Sequence, residues 1–383
     1  FPGYNLLHYL HNREMDELYL ATFVKTLARS LVLVFIPIYL LTIGFSVRFI
    51  ALFFLLEFAG MVLATPLGLW LNSQIGVKKT MAVADLIFIA YMFAVGAMKG
   101  TGAFLILPTL LISLSSGLFW AGYHVDFTTN VDNHEEGSEI SFLKVVILLS
   151  SAIGPFIGSL LIVGSSFQLS FSVAAGMCLL AIFPLFITKD FKTKPPVFSL
   201  KRLMKIDDKV KARSYMAFGM MQIANETFWP LFIYLTLKSL IEVGALFSIT
   251  TVLMVLILIR FGHRVDRHPN KSLTFGVWLH APSWILRIFI ATPIGALIMN
   301  AYAQLSYQLL DVAFEKVIYT EARQSNDIAS YFLFRQLSIG VGRFLVCALI
   351  LATGKIEYGF ILTFLAVPLY LGLRNRAAVF GSV

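Results

Sequence analysis

The sequence predicts an all-α integral membrane protein with twelve transmembrane helices in two pseudo-symmetric bundles of six. Of its 383 residues, 58% are hydrophobic and 13% are charged, whereas soluble domains carry charge on about a quarter of their residues. About a dozen apolar runs follow one another with short polar gaps, and each is long enough for the roughly 20-residue helix that crosses a bilayer. This composition excludes a soluble domain.

The apolar runs define the predicted spans. They cover residues 18–42, 47–71, 80–98, 103–125, 140–163, 169–188, 214–237, 240–261, 273–292, 295–319, 328–352 and 358–373. One long polar linker, residues 189–213, separates an N-terminal bundle, 1–188, from a C-terminal bundle, 214–383. Within the linker, residues 199–212 have apolar side chains at helical spacing, so we expect an amphipathic helix on the membrane surface.

The distribution of Lys and Arg predicts the orientation of the chain. The gaps on the side of the termini, with Arg260 at the end of the eighth span, hold 19 of these residues, nine of them in the linker, whereas the opposite gaps, with Arg48 at the start of the second span, hold four. By the positive-inside rule, both termini and the linker are cytoplasmic. We therefore attribute the net charge of +9 to topology rather than to nucleic-acid binding, and expect a monomeric multi-pass protein of the plasma (inner) membrane.

The two predicted bundles repeat parts of each other's sequence. The segment Pro37–Leu40 in the first span corresponds to Pro230–Leu235 in the seventh, and Leu149–Phe156 in the fifth corresponds to Leu337–Phe344 in the eleventh. Two parallel repeats of six helices, related by an axis along the membrane normal, indicate an alternating-access design with its site between the halves.

Short motifs of glycine, acid and base follow the second and eighth spans. Their key residues are Gly68 and Asn72 in the first copy, and Gly262, Asp266, Arg267 and Lys271 in the second. In these motifs and in its topology the chain resembles the major facilitator superfamily. The resemblance implies a latch that closes the cytoplasmic side, in which an acid accepts from helix N-termini. The first copy departs from the family pattern, with Asn for Asp and no Arg, and plain positive-inside turns are the alternative.

The fifth span contains Gly154, Pro155 and Gly158, which resemble an element of the family's proton antiporters. Proline removes a backbone donor and small residues allow close helix packing, so we expect a hinge here. Generic helix packing is the alternative. The arginine that the family's drug exporters carry in the fourth span is missing, which weakens the case for a drug exporter.

Ionisable residues inside the spans are the candidates for function, because a charge in hydrocarbon costs roughly 2.5 kcal/mol or more and needs a partner or water. The candidate proton carriers are Glu226 first, then Asp311, with Glu57. The candidate cavity residues are Lys25, Arg29, Trp120, Asn225, Trp229, Arg335 and Arg343. For any one charge, a static buried ion pair is the alternative.

Helical spacing also predicts how these charges meet. Lys25 and Arg29 share one helix face, as do Asp311 and Glu315. We therefore expect a basic stripe in one half to contact an acidic stripe in the other.

The sequence lacks a phosphate-cradling motif, a metal-ligand spacing and a cluster of catalytic groups at mid-membrane. We therefore expect no cofactor, no metal and no enzyme activity. The prediction is a secondary active transporter that moves a small organic solute by alternating access, coupled to H+ or Na+ and with proton-driven efflux as one form. The alternative is a flippase-like transporter of lipids or amphiphiles with the same fold.

Overall fold

The computed structural model describes the backbone of residues 13–99, 105–130, 136–194, 209–267, 269–324 and 328–373. It describes their side chains except at residues 13–18, 128, 130, 136–144, 256–267, 269, 270, 272, 312, 313, 316, 320, 323, 324 and 329. Within these ranges the chain forms helices and turns and no strand.

Twelve helical segments follow one another in the described residues. In chain order they are α1 (Arg13–Ser30, continued by Ile36–Thr42), α2 (Val47–Gln74), α3 (Val77–Gly96), α4 (Ile106–Asn130), α5 (Glu136–Gly164), α6 (Phe167–Ile182), α7 (Lys209–Ile223, continued by Trp229–Leu237), α8 (Leu240–Arg267), α9 (Pro269–Leu286), α10 (Pro293–Gln324), α11 (Ile328–Thr353) and α12 (Ile356–Ala366). Eight of these described segments are long and apolar enough to cross a membrane: α1 to α5, α11, α6 together with the 3₁₀ turn Phe183–Phe186, and α12 together with the 3₁₀ turn Val367–Leu373.

The predicted all-α membrane fold is confirmed, and each predicted span falls on one of the twelve helices. The main difference is at the helix ends. Helix α7 begins at Lys209, inside the predicted linker, and α4 continues to Asn130, because polar residues at the membrane surface prolong a helix that hydropathy alone would end. Of the predicted amphipathic helix, residues 199–208 lie outside the described residues.

Close glycine contacts repeat between the two halves. Gly158 of α5 lies against the backbone carbonyl of Leu31 in α1, and Gly342 of α11 lies against that of Met216 in α7. The absence of a side chain lets these helix backbones approach closely. Because the first and fifth helices of each half meet in the same way, the structure supports the sequence repeat.

We expect Gly158→Val and Gly342→Val each to lower the free energy of unfolding by about 1–3 kcal/mol, because the added side chain meets backbone that cannot rotate away. Gly176→Val in α6 is the matched control, since a Cβ there meets nothing within 4 Å. Denaturant unfolding of the detergent-solubilised variants measures the difference. An equal loss in all three would contradict the close contact.

The outer surface of the described helices is strongly apolar. Leu63, Phe183 and Phe289 are 77%, 68% and 75% exposed, and many other large apolar side chains accompany them. In water such a surface would cause aggregation, whereas in a bilayer it contacts acyl chains. The exposed apolar belt therefore places the helices in a membrane.

Candidate functional site

Helices α1 and α7 are interrupted at matched positions. In α1 a 3₁₀ turn, Leu33–Phe35, precedes Pro37, and in α7 a π-helical turn, Ala224–Phe228, precedes Pro230. Proline cannot donate to the carbonyl four residues earlier and its ring clashes there, so the helix must loosen before it. The interruptions turn side chains of both halves toward the space between them.

A cavity of about 470 Å³ lies between the two halves. Helices α1 to α5 line one side of it, and α7, α8, α10 and α11 line the other. Its charged lining residues are Lys25, Arg29, Glu57, Glu226 and Arg343, and its aromatic ones are Phe54, Phe58, Tyr91, Phe119, Trp120, Tyr123 and Phe247. The volume falls within the roughly 300–1,000 Å³ of small-molecule sites, and the lining combines apolar walls with a few charges, as such sites do.

One of these charges is already neutralised inside its own half. The Lys25 ammonium forms a buried ion pair with Asp85 of α3 and lies over the Phe119 ring. In the other half, Arg335 of α11 pairs with Glu315 of α10, with 3.1 Å between Nη2 and Oε1. The predicted contact between a basic and an acidic stripe across the halves is therefore wrong for Lys25 and Glu315. Helices of one bundle pack directly against each other, so their charges meet before charges on opposite sides of a cavity can.

Glu226 lies on the π-helical turn of α7 and is exposed to the cavity. The Gln222 side chain donates to its Oε1 at 3.1 Å and accepts from the Arg343 guanidinium at 2.5 Å. The Arg343 guanidinium then reaches into the N-terminal half, over the Phe58 ring at 4.2 Å and to the sulfur of Met61 at 3.4 Å. Gln222, which sequence reasoning missed, thus links a cavity carboxylate to a contact between the halves.

Asp311 and Trp229 lie outside the cavity lining. The Tyr307 hydroxyl donates to Asp311 Oδ1 at 2.9 Å in a buried position. The Trp229 side chain is fully buried and donates to Asn300 Oδ1 at 2.8 Å. The Tyr307–Asp311 bond lies within α10, whereas the Trp229–Asn300 bond connects α7 to α10 in the C-terminal half. Asn225 does line the cavity.

Arg287 of α9 is buried among aromatic side chains. Its guanidinium lies 4.6 Å from the Trp229 ring and 4.1 Å from the Trp284 ring, and donates to Asn225 Oδ1 at 2.9 Å. Cation–π contact and one hydrogen bond hold the charge behind the cavity wall. The pairing of Trp229 with an arginine has no signature in sequence spacing.

His124 of α4 connects the halves near the membrane side on which α1 begins. Its Nδ1 lies 3.0 Å from the Tyr319 hydroxyl and its Nε2 lies 3.1 Å from Arg335 Nη1, and its ring stacks on Phe332 at 4.6 Å. Because arginine can only donate, Nε2 is the acceptor and the ring proton lies on Nδ1. With Arg335 held by Glu315, these residues form a buried polar contact between the two halves. Arg335 was predicted as a cavity residue, but it lies in this contact between the halves and outside the cavity lining.

The predicted hinge residues lie at tight helix contacts. Helix α5 continues through Pro155, with Gly154 against Ser30 and Gly158 against Leu31 of α1. This explains why small residues are needed there, and the hinge itself stays a prediction.

The predicted latch is described only in part. Gly68 packs closely on α4, and the buried Asn72 amide donates to the carbonyl of Ala121 at 3.1 Å, so both act within the N-terminal half. The side chains of Asp266 and Arg267 and the surroundings of Gly262 are outside what the structure describes, and Lys271 is exposed.

An acid that accepts from a helix N-terminus is found where the sequence did not predict it. The carboxylate of Asp190, after α6, accepts from the backbone N–H groups of Lys78 at 2.8 Å and Lys79 at 3.2 Å, at the start of α3. Acids are favoured at helix N-termini by the unsatisfied N–H groups and the helix dipole. This contact joins residues more than a hundred positions apart, so no local motif signals it.

The sequence pattern of the Major Facilitator Superfamily matches residues 18–342. The chain belongs to the major facilitator superfamily. The family predicted from the motifs is therefore confirmed, and this superfamily member is a multi-pass membrane transporter. A comparison with curated protein sequences finds no match.

Solved structures share the superfamily fold over nearly the whole chain. The nucleoside transporter NupG superposes with a TM-score of 0.71 at 10% identity, covering 95% of this chain and 99% of that one. The peptide transporter POT in complex with sulfate superposes with a TM-score of 0.64 at 13% identity, covering 96% and 95%. At these identities the likeness establishes the fold of this superfamily member.

Proposed function

We propose that this protein is a proton-coupled secondary transporter of a small organic solute, with Glu226 as the proton carrier. The observation that supports this is the chain of contacts from Glu226 through Gln222 to Arg343 and the N-terminal half. A carboxylate that borders water-accessible space inside a protein can bind and release a proton during a transport cycle. Protonation removes the negative charge of Glu226 to which the Gln222 amide donates. The position of Gln222, and with it the hydrogen bond that Gln222 accepts from Arg343, then changes.

This arrangement couples protonation to movement of the halves. Arg343 touches Phe58 and Met61 of the opposite half, so its position differs between the closed and separated arrangements. A proton on Glu226 that weakens this contact favours one arrangement over the other, and a difference of 1.4 kcal/mol changes the ratio of the two tenfold. Alternating access follows when solute and proton shift the same equilibrium.

The cavity favours a compact polar solute over the lipid alternative. Its volume is that of a small-molecule site and five charged side chains line it, whereas acyl chains need an apolar path. We further propose the orientation given by the charge distribution, with both termini and the linker cytoplasmic, in the plasma membrane and as a monomer. The hinge at Gly154, Pro155 and Gly158 belongs to the same proposal.

Proteoliposomes filled with a pH-sensitive dye test proton coupling. Since the structural neighbours are titled peptide and nucleoside transporters, we choose pools of short peptides, nucleosides and amino acids as solutes. We expect at least one pool to change the internal pH when added. Glu226→Gln should abolish this signal while counterflow exchange of the same solute continues, because exchange needs no net proton movement.

The matched control is Glu242→Gln, which removes an exposed acid of the same half and should leave proton flux unchanged. Proton flux at the normal rate in Glu226→Gln would contradict its role as carrier. Solute exchange without any proton flux in the unmodified protein would instead support Na+ coupling or uncoupled transport.

A further inference from the structure

Two charged side chains in the cavity make no direct ion pair. Arg29 of α1 lies over the Phe88 ring at 4.4 Å, and Glu57 of α2 is 8% exposed. Among the residues that the structure describes, neither side chain makes a hydrogen bond or an ion pair, although both line the same cavity. A charge without an ion pair at mid-membrane costs free energy. We therefore expect both of these charges to have a role in the function of the site.

The other cavity charges are occupied. Lys25 is paired with Asp85, and Glu226 and Arg343 are joined through Gln222. Arg29 and Glu57 therefore offer the cavity one cationic and one anionic group, both from the N-terminal half. We call this pair of residues the slot, and each of the two residues one of its walls. A solute with a single charge would satisfy one wall and leave the other unpaired, whereas a solute with both charges satisfies the two together.

We propose that the transported solute is a zwitterion whose acid group binds Arg29 and whose ammonium group binds Glu57. This inference rests on the proposed function and names its substrate class. A guanidinium binds a carboxylate through two parallel N–H donors, and a carboxylate accepts from an ammonium group. The aromatic lining, with Phe54, Trp120 and Phe247 among its members, suits an apolar body between or beside the two charges.

The division of charges gives each half its own task. The N-terminal half holds the solute through Arg29 and Glu57, and the C-terminal half senses the proton through Glu226. A bound zwitterion gives both Arg29 and Glu57 a direct partner of opposite charge, so the cavity closes around the solute without enclosing a charge that lacks an ion pair.

Binding of matched compounds to the purified protein tests the proposal. The probes are alanine, leucine, phenylalanine and the dipeptide alanylphenylalanine, each compared with its carboxamide, which keeps only the ammonium, and its N-acetyl derivative, which keeps only the carboxylate. We expect at least one zwitterion to raise the melting temperature at millimolar concentration and to bind about tenfold or more tightly than either derivative, as charged hydrogen bonds predict.

Two variants test which charged group of the solute binds Arg29 and which binds Glu57. Arg29→Gln should bring the affinity of the zwitterion down to that of its carboxamide, and Glu57→Gln should bring it down to that of its N-acetyl derivative. Arg213→Gln and Glu242→Gln, at exposed positions of the other half, are the controls and should keep the tenfold preference. Because the affinity of the zwitterion should fall to the level of a different derivative in each test variant, general misfolding cannot produce this pattern.

The inference is overturned if no zwitterion binds, if a singly charged derivative binds as tightly as its parent, or if both variants keep the preference. The proposed function fails separately. Proton-coupled transport of an uncharged or singly charged solute would overturn only the zwitterion inference. A zwitterion that binds with the expected preference but is never transported would overturn the transport proposal.

Discussion

Replacing Lys25 with methionine is expected to lower the free energy of unfolding by about 3–5 kcal/mol. Lys25→Met leaves Asp85 as a buried carboxylate without its ion-pair partner, at a position that is 1% exposed. Removing one partner of a buried pair is far more damaging than removing both, because the remaining charge keeps its full desolvation cost. Denaturant unfolding in detergent measures the loss.

The double variant Lys25→Met with Asp85→Leu distinguishes a structural pair from a functional one. If the pair only joins α1 to α3, the double variant recovers most of the stability and also the solute transport. Recovered stability without transport would give Lys25 a role in solute binding, as the sequence suggested. Lys79→Met, an exposed lysine at the start of α3, is the control and should change stability by no more than about 0.5 kcal/mol.

Replacing His124 with phenylalanine is expected to open the cavity toward the side on which α1 begins. His124→Phe keeps the aromatic ring that stacks on Phe332 but removes the contacts with Tyr319 and Arg335. A hydrogen bond to a charged group contributes about 1.5–3 kcal/mol, so the ratio of open to closed molecules should rise by about tenfold to 150-fold. Arg335 remains paired with Glu315, so folding should be preserved.

Cysteine labelling measures this opening. Ser116→Cys places a thiol in the cavity lining, and both native cysteines, Cys178 and Cys347, are buried. We expect an impermeant maleimide added from the α1 side to label the thiol faster in His124→Phe. The control is His280→Phe, which removes a buried histidine that bonds within the C-terminal half. Equal labelling in the two variants would show that the His124 contact does not close the cavity.

The sequence by itself determined the class, the number and order of the helices, and the repeat. Hydropathy is a local property, because the bilayer requires every spanning segment to be apolar and internally hydrogen-bonded. Proline acts locally too, but the matched segments at Pro37 and Pro230 were used only to identify the repeat, and the structure showed that α1 and α7 are interrupted there. Charges in apolar helices are rare, so the sequence also singled out Glu226 and Glu57 as proton-carrier candidates and Arg29 and Arg343 as cavity candidates, and all four line the cavity.

Only the tertiary structure decided which charges pair. Helical spacing shows that Lys25 and Arg29 share a face, but not that Asp85 neutralises Lys25 while Arg29 stays open. The same holds for Gln222 between Glu226 and Arg343, and for His124 against Arg335 across the halves. Hydrogen bonds and ion pairs need atoms within a few ångströms of each other, so they depend on how distant segments of the chain pack. That packing is a property of the whole fold and cannot be read from local sequence spacing.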